Sequence, residues 1–320
     1  MGILEWCAPD VKRVAYGAGG GPGSDTSPAN IYLLRKKYDI ETAWRDGVLF
    51  RYYRGKIPSR QGYGFPLFAP ARGETGWNGF FEDGGAEGQG GAKPPFDMGK
   101  ALSLIRLDAE ERGVKAGLCL CDERQRKAVE DFFDVDWLSW DGDTDYIYQR
   151  ESLARLSGRK LHRKKNRANR FRNLYPEAVY RPITKTLFGD ALRVAEGWFD
   201  AREETDDGLA ELSQIRDAVA NWDALGFTGG VLYVENEPVA MTMASPLSPQ
   251  CLDVHYEKAV EPFAADGAYA VINQSFAASE EAAPYPYLNR EEDMGVPGLR
   301  QAKNAYQPNL KLEKYYGAFR

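Results

Sequence analysis

Histidine is almost absent from this chain: His162 and His255 are the only two in 320 residues. A histidine-rich metal centre is therefore excluded, and no metal site is expected. Cysteine is nearly as scarce, and Cys7, Cys119, Cys121 and Cys251 show neither metal-ligand nor disulfide-framework spacing. Cys119 and Cys121 lie two apart in an apolar run, which predicts one face of a strand carrying reduced, buried thiols. No apolar run approaches the roughly 20 residues that a membrane-spanning helix needs. The opening MGILEWCAPDVKR has no signal-peptide core, so a cytoplasmic protein is expected. Net positive charge is missing too. The 47 acids outnumber the 41 Lys and Arg to give −6, which argues against a generic coat for nucleic acid or membrane. The glycine-rich GAGGGPGS of residues 17–24 lacks the lysine-plus-hydroxyl ending of a phosphate loop and reads as a linker.

What is present is globular: 43% apolar, 28% charged and 12% aromatic, at a length that suits two ordinary domains or one large one. A polar cap at Asp25 and Pro28 in the first turn predict a helix through Ile31–Lys37. Ile40–Tyr53 reads as a hairpin about Arg45-Asp46-Gly47. Gly79–Pro95 is too rich in glycine to order itself. A helix from the Asp97 cap to Arg112, closed by Gly113, comes next. Strand Leu118–Cys121, helix Asp122–Phe133 and a hairpin about Asp141-Gly142-Asp143 complete the first half. The second half predicts helices within 149–175, 184–201 and 208–225, then a hairpin over Gly229–Ser245 about Glu235-Asn236-Glu237. Strand Leu252–Ala259, helix Gly267–Ser279, strand Tyr285–Leu288, helix Leu299–Tyr306 and strand Leu310–Tyr316 follow. Each half runs hairpin, helix, strand, helix, strand. That order predicts two similar mixed α/β units, residues 1–148 and 149–320.

Two stretches stand out chemically. After strand Tyr285–Leu288 the chain packs Asn289, Arg290, Glu291, Glu292 and Asp293 together, then turns through Gly295, Pro297 and Gly298 into a helix bearing Arg300 and Lys303. A strand ending on dense charge and re-aimed into a helix is where α/β folds build sites. The competing reading is a solvated turn with salt bridges; the flanking Tyr285, Tyr287, Tyr306, Tyr315 and Tyr316 argue for partial enclosure. The second stretch is Arg159–Arg172, RKLHRKKNRANRFR, with eight Lys or Arg and no acid. On a helix, His162, Asn166, Asn169 and Asn173 align as one polar stripe. Either this helix is a solvated cationic surface lying on the acidic remainder, or Lys165, Arg170 and their neighbours hold an anionic partner such as a phosphate-bearing cofactor or the acceptor end of an RNA.

The runs DYIYQRESLARLSGRKLHRKKNRANRF, LGFTGGVLYVENEPVAMTMASPL, HYEKA, GAYAVINQSFA, YLNREEDMGVPGLRQAKNAYQP and LEKY resemble the family named for the C-terminal domain of phosphatidylglycerol lysyltransferase. The resemblance spans about Asp145–Tyr316, and more faintly Asp25–Tyr53. It implies two tandem domains of the GCN5-related N-acetyltransferase type, akin to the Fem-type transferases that move an amino acid from aminoacyl-tRNA to an amine or hydroxyl. By the same resemblance, Tyr256, Glu257 and Lys258 lie on the central strand beside the acyl donor. Gly267 to Asn273, including Tyr269, stand where acetyltransferases carry a pyrophosphate loop. Here that loop reads DGAYAVIN and lacks most of the usual glycines, a departure toward a tRNA-linked donor rather than coenzyme A.

The expected chemistry is acyl transfer to a small-molecule, lipid or peptide acceptor, which needs a base, an oxyanion donor and an acid. Glu292 or Asp293 is expected as base or ammonium grip, with Arg290 and Lys303 holding donor phosphate or carbonyl oxygen and Tyr306 returning a proton. Glu257 and Lys258 form the alternative pair, Asn289 and His162 complete the substrate side, and His255 reads as a core residue. The rivals are a non-catalytic RNA- or phospholigand-binding module on the same fold, and an acetyl-coenzyme A N-acetyltransferase.

Overall fold

The computed structural model describes residues 2–17, 21–55, 60–68 and 97–320. The loop expected at Gly79–Pro95 lies outside them. In the first half, helices α1 (Val11–Gly17) and α2 (Pro28–Leu33) precede strands β1 (Ile40–Arg45), β2 (Val48–Arg54), β3 (Gln61–Gly64) and β4 (Leu67–Phe68). Then come α3 (Met98–Arg112), β5 (Gly117–Cys121), α4 (Glu123–Glu130) and β6 (Val135–Ser139). The second half starts with β7 (Asp145–Gln149), α5 (Arg150–Arg155), α6 (His162–Leu174), β8 (Val179–Pro182), α7 (Phe188–Asp200) and α8 (Asp206–Ala220). Strands β9 (Thr228–Val234), β10 (Glu237–Ser248) and β11 (Cys251–Ala259) lead to α9 (Phe263–Asp266) and α10 (Ala268–Ala277). The chain ends with β12 (Tyr287–Asn289), α11 (Pro297–Asn304), β13 (Leu310–Leu312) and β14 (Tyr315–Phe319).

Local chemistry explains most boundaries. Asp46 and Gly47 take φ of +53° and +78°, the left-handed pair that a two-residue hairpin between β1 and β2 requires. Asp97 caps α3 by accepting from the Lys100 amide, and Gly113 ends it at φ +66°. Asp122 and Gln125 close a reciprocal capping box on α4.

The strands form two mixed sheets, ordered β1-β2-β3-β5-β14-β6, with β4 beside β2, and β13-β7-β12-β11-β10-β9-β8. They do not divide the chain at residue 148, which lies inside β7. The strand expected over Leu310–Tyr316 is two: β13 pairs with β7 in the second sheet, while β14 inserts between β5 and β6 in the first. The hairpin expected at Asp141–Asp143 is likewise a crossover, because β6 and β7 belong to different sheets. Buried charge explains both. Lys314, 2% exposed between β13 and β14, donates to Asp145 Oδ1 (2.8 Å) and Ser24 Oγ (2.9 Å). At the other crossover Asp143 pairs with Arg60 at 3.2 Å. A continuous strand would strand these ions in an apolar interior.

Cys119 and Cys121 are both buried, as expected. They do not share a face: Leu120 between them has φ +58°, and the two thiols enter different cores. One face of the second sheet packs on α5, α6 and α10. The other packs on α7 and α8, and also on Ala29, Ile31, Leu33, Leu49 and Leu67 of the first half. A shared core therefore joins the halves.

Candidate functional site

Parallel strands β11 and β12 run in register from Cys251–Tyr287 to Asp253–Asn289, after which β12 stops and β11 continues to Ala259. The gap opens where β11 bulges: Met243 of β10 faces Tyr256 and Ala244 faces Val254, leaving His255 as the extra residue. The bulge sorts the side chains. Glu257 points to the α10 side, and Asp253 and His255 point to the α2 side. The charged loop after β12 is sorted in the same way. Asn289 Oδ1 accepts the Glu291 amide at 2.8 Å, an Asx turn that helps hold Glu291 at φ +56°. Lys303, sent back by α11, donates its ammonium to the carbonyls of Arg290, Glu291 and Glu292. Those three donors to three acceptors fix the turn.

On the α10 side the loop builds a charged junction. Arg290 Nη2 donates to Glu257 Oε1 at 2.9 Å, and Asn273 Nδ2 donates to Glu257 Oε2 at 3.1 Å. The Tyr306 ring lies 4.9 Å from the Arg290 guanidinium and 4.0 Å from the Lys164 ammonium of α6, both cation–π distances. Burial, reinforced by the Arg290 charge, brings the Lys164 amine down to about 8. Burial pushes the Tyr306 phenol up, partly offset by Arg290. Arg290 Nη1 and Asn273 Oδ1 are buried and have no hydrogen-bond partner. One strong donor and one acceptor thus stay uncommitted beside a carboxylate, where an unpaired buried polar atom ordinarily costs about 1–3 kcal/mol.

The remaining expected residues are dispersed. Glu292 pairs with Arg60; burial alone would raise its carboxyl, but Arg60 and then Lys314 more than offset this and hold it at about 2. Asp293 is fully buried and accepts from the Tyr146 hydroxyl (2.7 Å), Arg300 Nε (2.8 Å) and the Gly295 amide. Both acids are thus anchors of the turn, poorly suited to take a proton. Asn289 Nδ2 donates to Asp145 and to the Pro22 carbonyl, and Lys303 is spent on the loop carbonyls. Tyr256 lies in the core on the opposite face. Lys258 is there too, paired with Glu211 at 2.9 Å over the Trp198 ring. Gly267 abuts α6 so closely that a Cβ would meet the Arg167 carbonyl at 2.6 Å; the loop expected to cradle pyrophosphate is therefore packed against a helix. Tyr269 accepts from the Trp198 indole. On α6, His162, Lys165 and Asn166 are exposed, with Asn166 beside His162 at 3.4 Å. Arg170 pairs with Asp266 at 2.9 Å.

The structure therefore gathers Glu257, Asn273, Arg290 and Tyr306, and adds Lys164 and Tyr148, whose hydroxyl donates to the Lys303 carbonyl at 2.8 Å. Lys164 is one of several cations on α6, and its position next to the buried Ala168 and Phe171 face was the available signal. The basic helix meets the charged loop through Lys164, over the Tyr306 ring and close to Arg290, within the second half. A cavity of about 460 Å³ lies elsewhere, across Gly62, Gly117, Leu138 and Tyr316 of the first sheet. It contains none of these charged groups.

A family model described as phosphatidylglycerol lysyltransferase, C-terminal, matches residues 94–318, well over half of the chain. No curated protein matches the sequence. Among solved structures, a conserved protein of unknown function from Bacteroides thetaiotaomicron is similar over 99% of this chain and 100% of its own, at 28% identity and TM-score 0.82. L-PGS from Bacillus licheniformis is similar over 97% and 92%, at 13% identity and TM-score 0.61. FemX is similar over 97% and 97%, at 7% identity and TM-score 0.53. The last two likenesses are of fold alone: mixed α/β, built here on two mixed sheets. With its model matched across both crossovers and the whole second sheet, the chain belongs to the phosphatidylglycerol lysyltransferase C-terminal family.

Proposed function

We propose that the protein transfers an aminoacyl group from aminoacyl-tRNA to an amine or hydroxyl acceptor at the Glu257–Arg290–Asn273 junction. Family and fold indicate an aminoacyl- or acyltransferase; the junction favours an aminoacyl donor. An aminoacyl ester brings an α-ammonium and a carbonyl oxygen that becomes an oxyanion. The Glu257 carboxylate and the uncommitted Asn273 Oδ1 suit the ammonium, and the uncommitted Arg290 Nη1 suits the oxyanion. An acetyl group would leave the acceptor side unmatched. That pair of buried, unspent polar atoms carries the reading.

In the reaction the acceptor N–H or O–H attacks the ester carbonyl carbon. Its proton passes to the Lys164 amine, the carbon–oxygen bond to the ribose breaks, and Lys164 returns the proton to the ribose oxygen. An amine near pKa 8 is suited to both steps. The exposed cations of α6, with Arg163 and Lys165 on either side of Lys164 in sequence, would lie along the tRNA acceptor stem. Among the described residues no helix is long and apolar enough to cross a membrane, so a lipid acceptor would be met at a membrane surface.

The test supplies purified protein with a panel of radiolabelled aminoacyl-tRNAs and, separately, acetyl-coenzyme A, with hydroxylamine or phosphatidylglycerol vesicles as acceptors. Label should leave at least one aminoacyl-tRNA, and Arg290→Gln should slow that transfer by about 100-fold, the usual cost of losing one oxyanion donor. Transfer from acetyl-coenzyme A with none from any aminoacyl-tRNA would overturn the assignment.

A further inference from the structure

The opposite face of the β11–β12 gap carries a second cluster that the transfer chemistry does not use. His255 Nδ1 lies 3.0 Å from Glu291 Oε1, 3.1 Å from Asn30 Oδ1 and 3.7 Å from Asp253 Oδ2. One ligand atom from each of Asp253, His255 and Glu291 falls within 4.8 Å of the others. The neighbouring acids have Lys or Arg partners: Asp145 has Lys314, and Asp143 and Glu292 share Arg60. For Asp253 and Glu291, His255 is the only ion-pair partner among the described residues. Asp253 is fully buried, faces the cluster through Oδ2, and has its Oδ1 unpartnered. A buried and a partly buried carboxylate thus flank one imidazole, with one carboxylate oxygen to spare. Asn30 Nδ2 donates to Glu291 Oε1 (2.9 Å) and Asp253 Oδ2 (3.2 Å), but no Lys or Arg among the described residues pairs with either acid.

We propose that Asp253, His255 and Glu291, with the Asn30 side-chain oxygen, bind one divalent transition-metal ion of the zinc or manganese class. The donor set of one imidazole nitrogen and three oxygens suits that class. Ligand atoms about 2.1 Å from such an ion stand roughly 3–3.5 Å apart; Glu291 and Asn30 lie at that spacing from His255 Nδ1, and Asp253, at 3.7 Å, would draw in slightly. The imidazole is held for the task, because its Nε2 sits 2.8 Å from the Ser245 hydroxyl. With Nε2–H donating there, the Nδ1 lone pair faces the carboxylates, the usual outer-shell arrangement of a ligating histidine. Asp253 and the histidine side chain are almost unexposed, whereas the Glu291 side chain is 24% exposed; an ion would enter past Glu291. The ion would join α2 of the first half to β11 and to the loop that also carries Arg290.

The test needs no substrate. Protein made without a histidine tag is treated with EDTA, desalted, exposed separately to zinc and manganese chloride, desalted again and analysed by elemental mass spectrometry and thermal melting. The expected result is about one ion per chain, with a melting temperature higher than that of the EDTA-treated form. Occupancy should fall at least tenfold in Glu291→Gln, whose partial exposure leaves the core intact, and in His255→Gln where that variant shows a wild-type circular dichroism spectrum. Less than about one-tenth of an ion per chain for both metals, with melting unmoved by metal or EDTA, would overturn the site and leave a hydrogen-bonded relay in which His255 Nδ1–H donates to Glu291. Because binding is read without turnover, this outcome is independent of the transfer assignment.

Discussion

Replacing Lys314 with methionine would expose what the crossover between sheets depends on. The substitution keeps the aliphatic stem and removes the ammonium that lies 2.8 Å from Asp145 Oδ1 and 3.4 Å from Asp25 Oδ1. Asp145 is fully buried. It keeps hydrogen bonds from the Ser24 amide (2.7 Å) and Asn289 Nδ2 (2.9 Å), but no compensating cation contacts it. Breaking a buried pair from one side costs about 3–5 kcal/mol. For a chain of this size each kcal/mol moves the melting temperature by roughly 2 °C, so Lys314→Met should melt about 6–10 °C lower. The companion variant Lys314→Met with Asp145→Asn removes the orphaned charge while an amide can still accept from Ser24. It should recover about half of the loss, since neutralising both partners is far milder than neutralising one. The assay is thermal or urea unfolding followed by circular dichroism under reversible conditions. A single variant melting within about 2 °C of the parent, or a double variant less stable than the single, would refute the argument that charge compensation holds the crossover.

Three further outcomes follow from the same geometry. The Glu292 carboxyl is held at about 2 against an ordinary 4.5, so its ionic contribution is present above pH 4.5 and is lost as pH falls toward 2. It amounts to roughly 3 kcal/mol, and Glu292→Gln should flatten the pH dependence of urea unfolding in that window. Transfer should rise with pH through about 8 as Lys164 loses its proton; Lys164→Arg should abolish both the inflection and most of the rate, and an unchanged pH–rate profile would remove Lys164 as the base. Charge reversal at the exposed Arg163 and Lys165 should weaken tRNA binding and lower the salt slope by about one for each phosphate no longer neutralised, measured by filter binding across salt concentrations. An unaltered slope would place the tRNA elsewhere.

The regular elements were legible because their signals are local. Asp46-Gly47 dictates its turn, Asp97 and Gly113 bracket their helix, and Glu235-Asn236 closes β9 onto β10 with φ of +50° and +70°. Strand partners were not legible. Nothing in the run Leu310–Tyr316 says that Lys314 will be enclosed by Ser24, Asp25 and Asp145, which lie more than 160 positions away in sequence. The charged loop after β12 was found, but the work of each residue in it was not. Glu291 and Glu292 are adjacent and chemically alike, yet one faces His255 and the other Arg60. Only the Asx turn at Asn289 and the Lys303 clamp decide which goes where, and both are tertiary facts. Glu257 and Asn273 were reached through family resemblance, and their convergence on Arg290 depends on a bulge at His255 that no local propensity announces.

The placement of β14 has a bearing on how the molecule is made. Residues 315–319 sit between β5 and β6, so an emerging polypeptide has these two neighbours waiting, unbridged, while some 170 later residues are still being synthesised. During that interval the edges of β5 and β6 are open to mispairing with other nascent chains. Shielding by a chaperone, or the early docking of α2 onto the second unit, would matter most in that window. A tag or fusion placed directly after Phe319 would also sit at the end of an interior strand, where even a short extension has neighbours on both sides.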